Sequence, residues 1–317
     1  MKKILFITWD GPQTSYMEGL FMPIFHEVSK KRDIEFHVLQ FTWGDKARTE
    51  ITQEVAEKLN INYKAKPILR KPNVSIGSFI ALLTSANKIR KYIKENKIDI
   101  VMPRSTFPAY WASKLKGVKI IFDADGLPID ERVEFGGLRK EGIMYRWLKS
   151  IETKMLNSAD AVIVRSQKAI NIHVSNIGEQ KRNKFSVVLN GRDKNTFDYN
   201  ETERNLMRKS LGINENELFL IYVGSLRGKY ALKEILSIFD TIKQYVKTKL
   251  LFLTGDIDYL ESKLSNRNSD NIIFQQVKSN DVPRFINAAD VGLALIYPTY
   301  SMLAAVPTKF PLSPVKV

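Results

Sequence analysis

The residues whose types and spacing could do chemistry lie mainly in one short run, Gly224-Ser225-Leu226-Arg227-Gly228-Lys229, between the apolar segment LFLIYV and the amphipathic segment ALKEILSIF. A strand that passes into a helix through such a run is suited to holding phosphate. Gly224 and Gly228 let the backbone come close, the helix N-terminus offers free N–H groups, and Arg227 and Lys229 can neutralise a diphosphate. A glycine-rich turn with a basic residue is equally a structural joint between strand and helix. Other chemistries are excluded by composition. The chain has no cysteine, so it has no disulfides, thiolate metal sites or cysteine nucleophiles. Its three histidines, His26, His37 and His173, lie far apart and without partners at metal spacing. Ordinary structural or surface roles are expected for them, and no metal site.

Elements able to position that turn recur along the whole chain. Short β-rich runs alternate with helical patterns, the signature of βαβ units around parallel sheets. Strands are expected at 4–8, 35–41, 98–103, 119–123, 161–165 and 185–189, and in the second half at 218–223, 249–254, 271–275 and 291–296. Helices are expected at 16–30, 76–96, 231–245 and 281–288. The 317 residues suit two domains, each with its own core. The fold class is therefore α/β with two Rossmann-like lobes in series, 1–195 and 196–317, joined by a polar stretch that reaches about residue 215. In such sheets ligands sit at the carboxyl ends of the strands.

The formal charge of +15 implies an anionic partner or surface, unless the lysines are simply solvated helix faces. They cluster at Lys30, Lys31 and Arg32, at Lys88, Arg90, Lys91, Lys94 and Lys97, and at Arg139, Lys140, Arg146 and Lys149. No recognisable DNA- or RNA-binding motif accompanies them, so no nucleic-acid partner is expected. The opening MKKILFITWDG is interrupted by Asp10 and Gly11 too early for a secretory core and reads as a first strand. No window approaches the roughly 20 apolar residues of a membrane span. A cytoplasmic protein is expected, soluble or peripheral on the inner membrane face. Residues 136–160 carry Met144, Trp147, Leu148, Ile151 and Met155 at helical spacing, which suits either a membrane-surface helix or one facing a core.

The runs ADAVIVRSQKAINI, KFSVVLNGRDKNTF, YVGSLRGKY, LLFLTG and VPRFINAADVGLALI occur in an order and at spacings that resemble glycosyltransferase family 4, retaining nucleotide-sugar-dependent enzymes of GT-B fold. The run FDADGLPIDERVEFGG resembles a stretch found in relatives from bacterial surface-polysaccharide pathways. The resemblance extends from residue 1 to about residue 311. It implies transfer of a sugar from a nucleotide-diphosphate donor to a glycan or lipid-linked acceptor in capsule, O-antigen or exopolysaccharide assembly, with no cofactor and no required metal. It implies that Gly224, Ser225, Arg227 and Lys229 bind the donor diphosphate, with Lys309 and Gly11 also near the donor. Asp125 and Glu131 fall where acceptor-side or catalytic groups would stand; the alternative for both is a turn carboxylate paired with Arg104 or Arg132. A GT-B nucleotide-sugar epimerase is a further alternative.

The last residues, VPTKFPLSPVKV, depart from that pattern. In the family's polysaccharide branch the Lys-Phe turn leads into a Glu that holds the donor ribose, with another Glu eight residues earlier. Here those places hold Leu312 and Ala304. Four strands are counted in the second lobe, where a doubly wound lobe commonly has six. The expectation is an incomplete second lobe in a chain cut short after Pro311, either active or a remnant that at most binds nucleotide.

Overall fold

A computed structural model describes residues 1–11, 16–43, 46–68, 74–191, 195–265 and 269–306. Two compact units emerge: Met1–Asn190 with Tyr300–Val306, and Gly191–Thr299.

Among the described residues the first unit holds seven parallel strands, β1 (Lys2–Asp10), β2 (Ile34–Thr42), β3 (Asn62–Pro67), β4 (Ile100–Pro103), β5 (Lys119–Asp123), β6 (Ala161–Val164) and β7 (Phe185–Val187). Their order is β3-β2-β1-β4-β5-β6-β7, so the sheet winds outward in both directions from β1 and β4. Among the described residues seven α-helices connect and cover it: α1 (Met22–Lys31), α2 (Lys46–Lys58), α3 (Val74–Asn96), α4 (Thr106–Ala112), α5 (Pro128–Phe135), α6 (Ile143–Ser158) and α7 (Gln167–Ile177). Neighbouring residues of β1 serve opposite cores. Leu5 and Ile7 pack with Ile89, Trp111 and Met155, while Ile4 and Phe6 pack with Met17, Phe21 and Phe25. Burial on both faces explains the near-continuous apolar runs of the sequence.

The second unit repeats the plan with α8 (Glu201–Ser210), β8 (Leu218–Val223), α9 (Leu232–Ile242), β9 (Thr248–Leu253), α10 (Ile257–Leu264), β10 (Ile272–Gln275), α11 (Val282–Ala288) and β11 (Val291–Leu293). Its parallel sheet runs β10-β9-β8-β11. All ten expected strands are present within a few residues, and both sheets have the α/β form expected. β3 was not anticipated, because NYKAKP has little apolar content and ends in proline. It forms the edge beside β2, where exposed Lys64 and Pro67 suit a strand with one free side.

The polar stretch near residue 200 is more than a connection. Arg204 on α8 donates to the carbonyls of Asn287, Ala288 and Ala289 and pairs with Asp290, so α8 caps the C-terminal end of α11. The helix of residues 136–160 takes the core-facing arrangement: Leu148, Ile151, Met155 and Leu156 are buried. Met144 alone of the named stripe is more than half exposed. His173 is fully buried on α7 and stacks on Phe185, while His26 and His37 bond to Leu59 O and to Glu35 and Tyr92.

The Ala-Asp pairs before strands have a shared structural task. The Asp160 carboxylate accepts from Ile120 N at 2.8 Å while its own N–H donates to Ile120 O at 3.0 Å, and Asp290 treats Phe219 the same way at 2.7 and 2.8 Å. Asp99 brackets Lys3 identically. Each aspartate thus ties the start of its strand to the adjacent one and satisfies an otherwise unpaired backbone N–H. Ala304, at one of the two expected carboxylate positions, is fully buried in the first unit, its carbonyl accepting from Ser166 Oγ at 3.4 Å.

Candidate functional site

In the first unit β1 and β4 are neighbours whose connections leave toward opposite edges, which makes their carboxyl ends the natural ligand crevice of this sheet. The loops there carry the buried pair Asp123 and Arg165. Arg104, just after β4, reaches Asp123 at 2.8 Å and Asp125 at 2.6 Å. Arg165, just after β6, donates to both Asp123 oxygens at 2.8 and 2.7 Å and to Val188 O at 3.1 Å. Asp123 is completely buried and Arg165 nearly so. Burial works against the Arg104 charge, but Asp125 and Asp123 outweigh it and raise the pKa. The Arg104 guanidinium also lies 4.6 Å from the centre of the Phe21 ring, placed by a π-helical turn at Met17–Phe21.

Backbone geometry is tight at the same place. Ser105 and Asp125 adopt φ of 63° and 64°, conformations that cost non-glycine residues about 1–3 kcal/mol each and persist where neighbours enforce them. Here Ser105 N donates to Asp123 O, and Asp125 N to Asp123 Oδ1. Asp123 therefore organises both loops.

Asp10 closes the β1 side. It accepts from Thr8 Oγ1 at 2.7 Å and Gln40 Nε2 at 3.4 Å, and burial, only partly offset by the Thr8 bond and by Arg104, raises its pKa. A raised folded-state pKa favours the protonated carboxyl, so this contribution to stability is complete below the ordinary aspartate range and is lost as pH rises through the folded value. Asp10→Asn should therefore melt at a higher temperature than the parent at pH 7, with the difference closing toward pH 3.5; equal melting temperatures at pH 7 would count against this reading. Beside it, Gly11 faces Trp43 so closely that a Cβ would lie 2.7 Å from the indole. Only glycine fits without displacing that ring.

Of the two expected carboxylates, Asp125 joins this network through Arg104. Glu131 stands on the first turn of α5 beside Arg132, whose guanidinium packs 5.3 Å over Phe107. Burial lowers the Arg132 pKa, with Glu131 opposing. Sequence reasoning did not single out Asp10, Asp123 or Arg165. All three stand at the last residue of a strand or just beyond it, the signal that would have found them in a sheet whose ligand edge is the carboxyl edge.

In the second unit the equivalent crevice lies where β8 separates β9 from β11. Gly224 takes φ of 117°, which other residues avoid, and donates to Leu253 O at 2.8 Å. The Ser225 carbonyl accepts from Tyr222 Oη. Asp256 then holds the turn, accepting from Leu226 N at 2.8 Å and Arg227 Nε at 3.2 Å. On the other flank Lys229 O accepts from Tyr297 N at 2.9 Å, Tyr230 pairs with Ile296, and Ala231 N donates to Leu295 O. The turn is thus clamped from both sides just ahead of α9. Arg227 stays largely exposed and lies 4.7 Å over the Tyr259 ring. An exposed pair such as Arg227–Asp256 is worth only about 0–1 kcal/mol, so an arriving anion can recruit this guanidinium cheaply. Lys309 lies outside the described residues.

Two Rossmann-like α/β units in series define the GT-B class of fold. The family model for Glycosyltransferase Family 4 matches residues 27–196, more than half of the chain, and the protein belongs to that family. No curated protein sequence matches it. Among solved structures it is similar to HepE from Anabaena in complex with UDP-glucose, with TM-score 0.63 and 15% identity over 92% of this chain and 73% of that one. It is also similar to sucrose-phosphate synthase from Thermosynechococcus elongatus (0.61, 14%, 92% and 75%). A UDP-GlcNAc 2-epimerase from Neisseria meningitidis bound to UDP-GlcNAc gives 0.57 and 14%, over 92% and 76%. At these identities the likeness is one of fold.

Proposed function

We propose that the protein transfers a glycosyl group, with retention of configuration, from a uridine-diphosphate sugar to a hydroxyl of a glycan or lipid-linked acceptor in bacterial surface-polysaccharide assembly. The observation that carries this reading is the clamped Gly224–Lys229 turn, which brings backbone N–H groups, Arg227 and Lys229 to the carboxyl edge of the second sheet. Family membership supports the reaction class, and the UDP-containing complexes of HepE and the epimerase support the choice of nucleotide.

In the reaction the bond between the anomeric carbon and the β-phosphate oxygen breaks, and its electron pair stays on that oxygen. Arg227 and Lys229 stabilise the charge as it grows, without metal or cofactor. The acceptor oxygen bonds to the same face of the sugar, and its proton passes to the departing phosphate. Asp125, held by Arg104, accepts a hydrogen bond from the acceptor. The positive net charge suits work at an anionic inner membrane surface; among the described residues no helix is long and apolar enough to cross a membrane.

The test is incubation with UDP-glucose or UDP-N-acetylglucosamine, with and without lipid-diphosphate-linked acceptor, followed by chromatography. Acceptor-dependent UDP release with an α-linked product is expected. An isomerised UDP-sugar formed without acceptor would replace this reading with the epimerase one.

A further inference from the structure

A cleft of about 460 Å³ opens in the first unit between the C-terminal half of α3 and the segment joining α4 to β5. Among the described residues its lining is Arg90, Ile93, Lys94, Lys114, Leu115, Lys116 and Val118: four cations, three apolar side chains and no carboxylate. Glu95, next to Lys94 in the chain, is turned to Lys91 at 3.6 Å. Two of the cations are fixed in place. Arg90 donates to Asn87 Oδ1 at 2.6 Å and to Lys114 O at 2.8 Å, which ties α3 to the opposite wall, and the Lys114 ammonium donates to Tyr110 Oη at 2.7 Å. Lys94 and Lys116 are exposed, and among the described residues no carboxylate pairs with either.

Four like charges around one concavity repel one another and raise a local potential that only an anion relieves. Ordinary solvated lysines are dispersed along a helix face. Here they converge from two separate segments onto an apolar floor, with one guanidinium locked across the gap. Location separates this cleft from the reaction: Val118 directly precedes β5 and α3 leads into β4, so the cleft lies at the amino ends of these strands, the edge opposite Arg104 and Asp125.

We infer that this cleft is a phosphoester-binding site, in which Arg90, Lys94, Lys114 and Lys116 hold the phosphate and Ile93, Leu115 and Val118 take an adjoining apolar portion. The same chemistry is offered by the headgroup of an anionic phospholipid and by a soluble phosphate ester. The inference goes beyond the proposed reaction and stands without it.

The test uses the whole chain and the exposed double variant Lys94→Glu/Lys116→Glu, with glycerol 1-phosphate by calorimetry and with phosphatidylglycerol or phosphatidylcholine vesicles by flotation. Saturable binding of glycerol 1-phosphate, weakened about tenfold or more in the variant, assigns a soluble ligand. Flotation with phosphatidylglycerol alone, lost in the variant, assigns the headgroup. No binding in either arm, or binding that the variant leaves unchanged, overturns the inference. The variant's melting temperature and UDP affinity should equal the parent's, so failure here is distinct from failure of the transferase reading.

Discussion

Asp123→Ala is expected to lower the melting temperature by roughly 6–20 °C. Asp123 is completely buried and takes charge-assisted hydrogen bonds from Arg104 and Arg165 while ordering the Ser105 and Asp125 loops. Removing one partner of a buried ion pair costs about 3–5 kcal/mol, because the other is left charged and desolvated, and each kcal/mol moves a domain of this size by roughly 2–4 °C. The double variant Asp123→Ala/Arg165→Met should be less destabilised than the sum of its single changes, since it removes one stranded charge along with its partner. Thermal melts followed by circular dichroism decide the matter. A fall of under about 2 °C, or strict additivity, would mean that water reaches this network and the burial argument fails.

Arg227→Ala is expected to raise the dissociation constant for UDP about 10- to 100-fold, matching the roughly 1.5–3 kcal/mol of a hydrogen bond to a charged group. Its melting temperature without ligand should stay within about 2 °C of the parent's, because the exposed contact with Asp256 contributes little. Calorimetric titration separates the two effects. Unchanged affinity would move the diphosphate away from this side chain.

The fold was legible in the sequence wherever burial on both faces gave an unbroken apolar run, as in LFLIYV of β8 or LLFL of β9. It was illegible at β3, whose lysines and proline suit a free sheet edge, and at α8, whose Arg204 binds carbonyls more than 80 residues away. The second-unit turn could be read because glycines and cations are adjacent in sequence. The first-unit network could not, since Asp10, Arg104, Asp123 and Arg165 come from four strands and meet only when the sheet forms. Asp256 was hidden for the same reason: nothing in LTGDID shows that its carboxylate closes a turn some 30 residues earlier.

The most direct measurement is a thermal-shift titration of the intact chain with UDP, GDP and CMP, because the account rests on the Gly224–Lys229 turn being a diphosphate site. UDP should raise the melting temperature in a concentration-dependent, saturating way, with stabilisation near 2.7 kcal/mol at about 100 times the dissociation constant. GDP should act more weakly and CMP not at all. A melting curve indifferent to all three would contradict the assignment of that turn to a nucleotide-sugar donor.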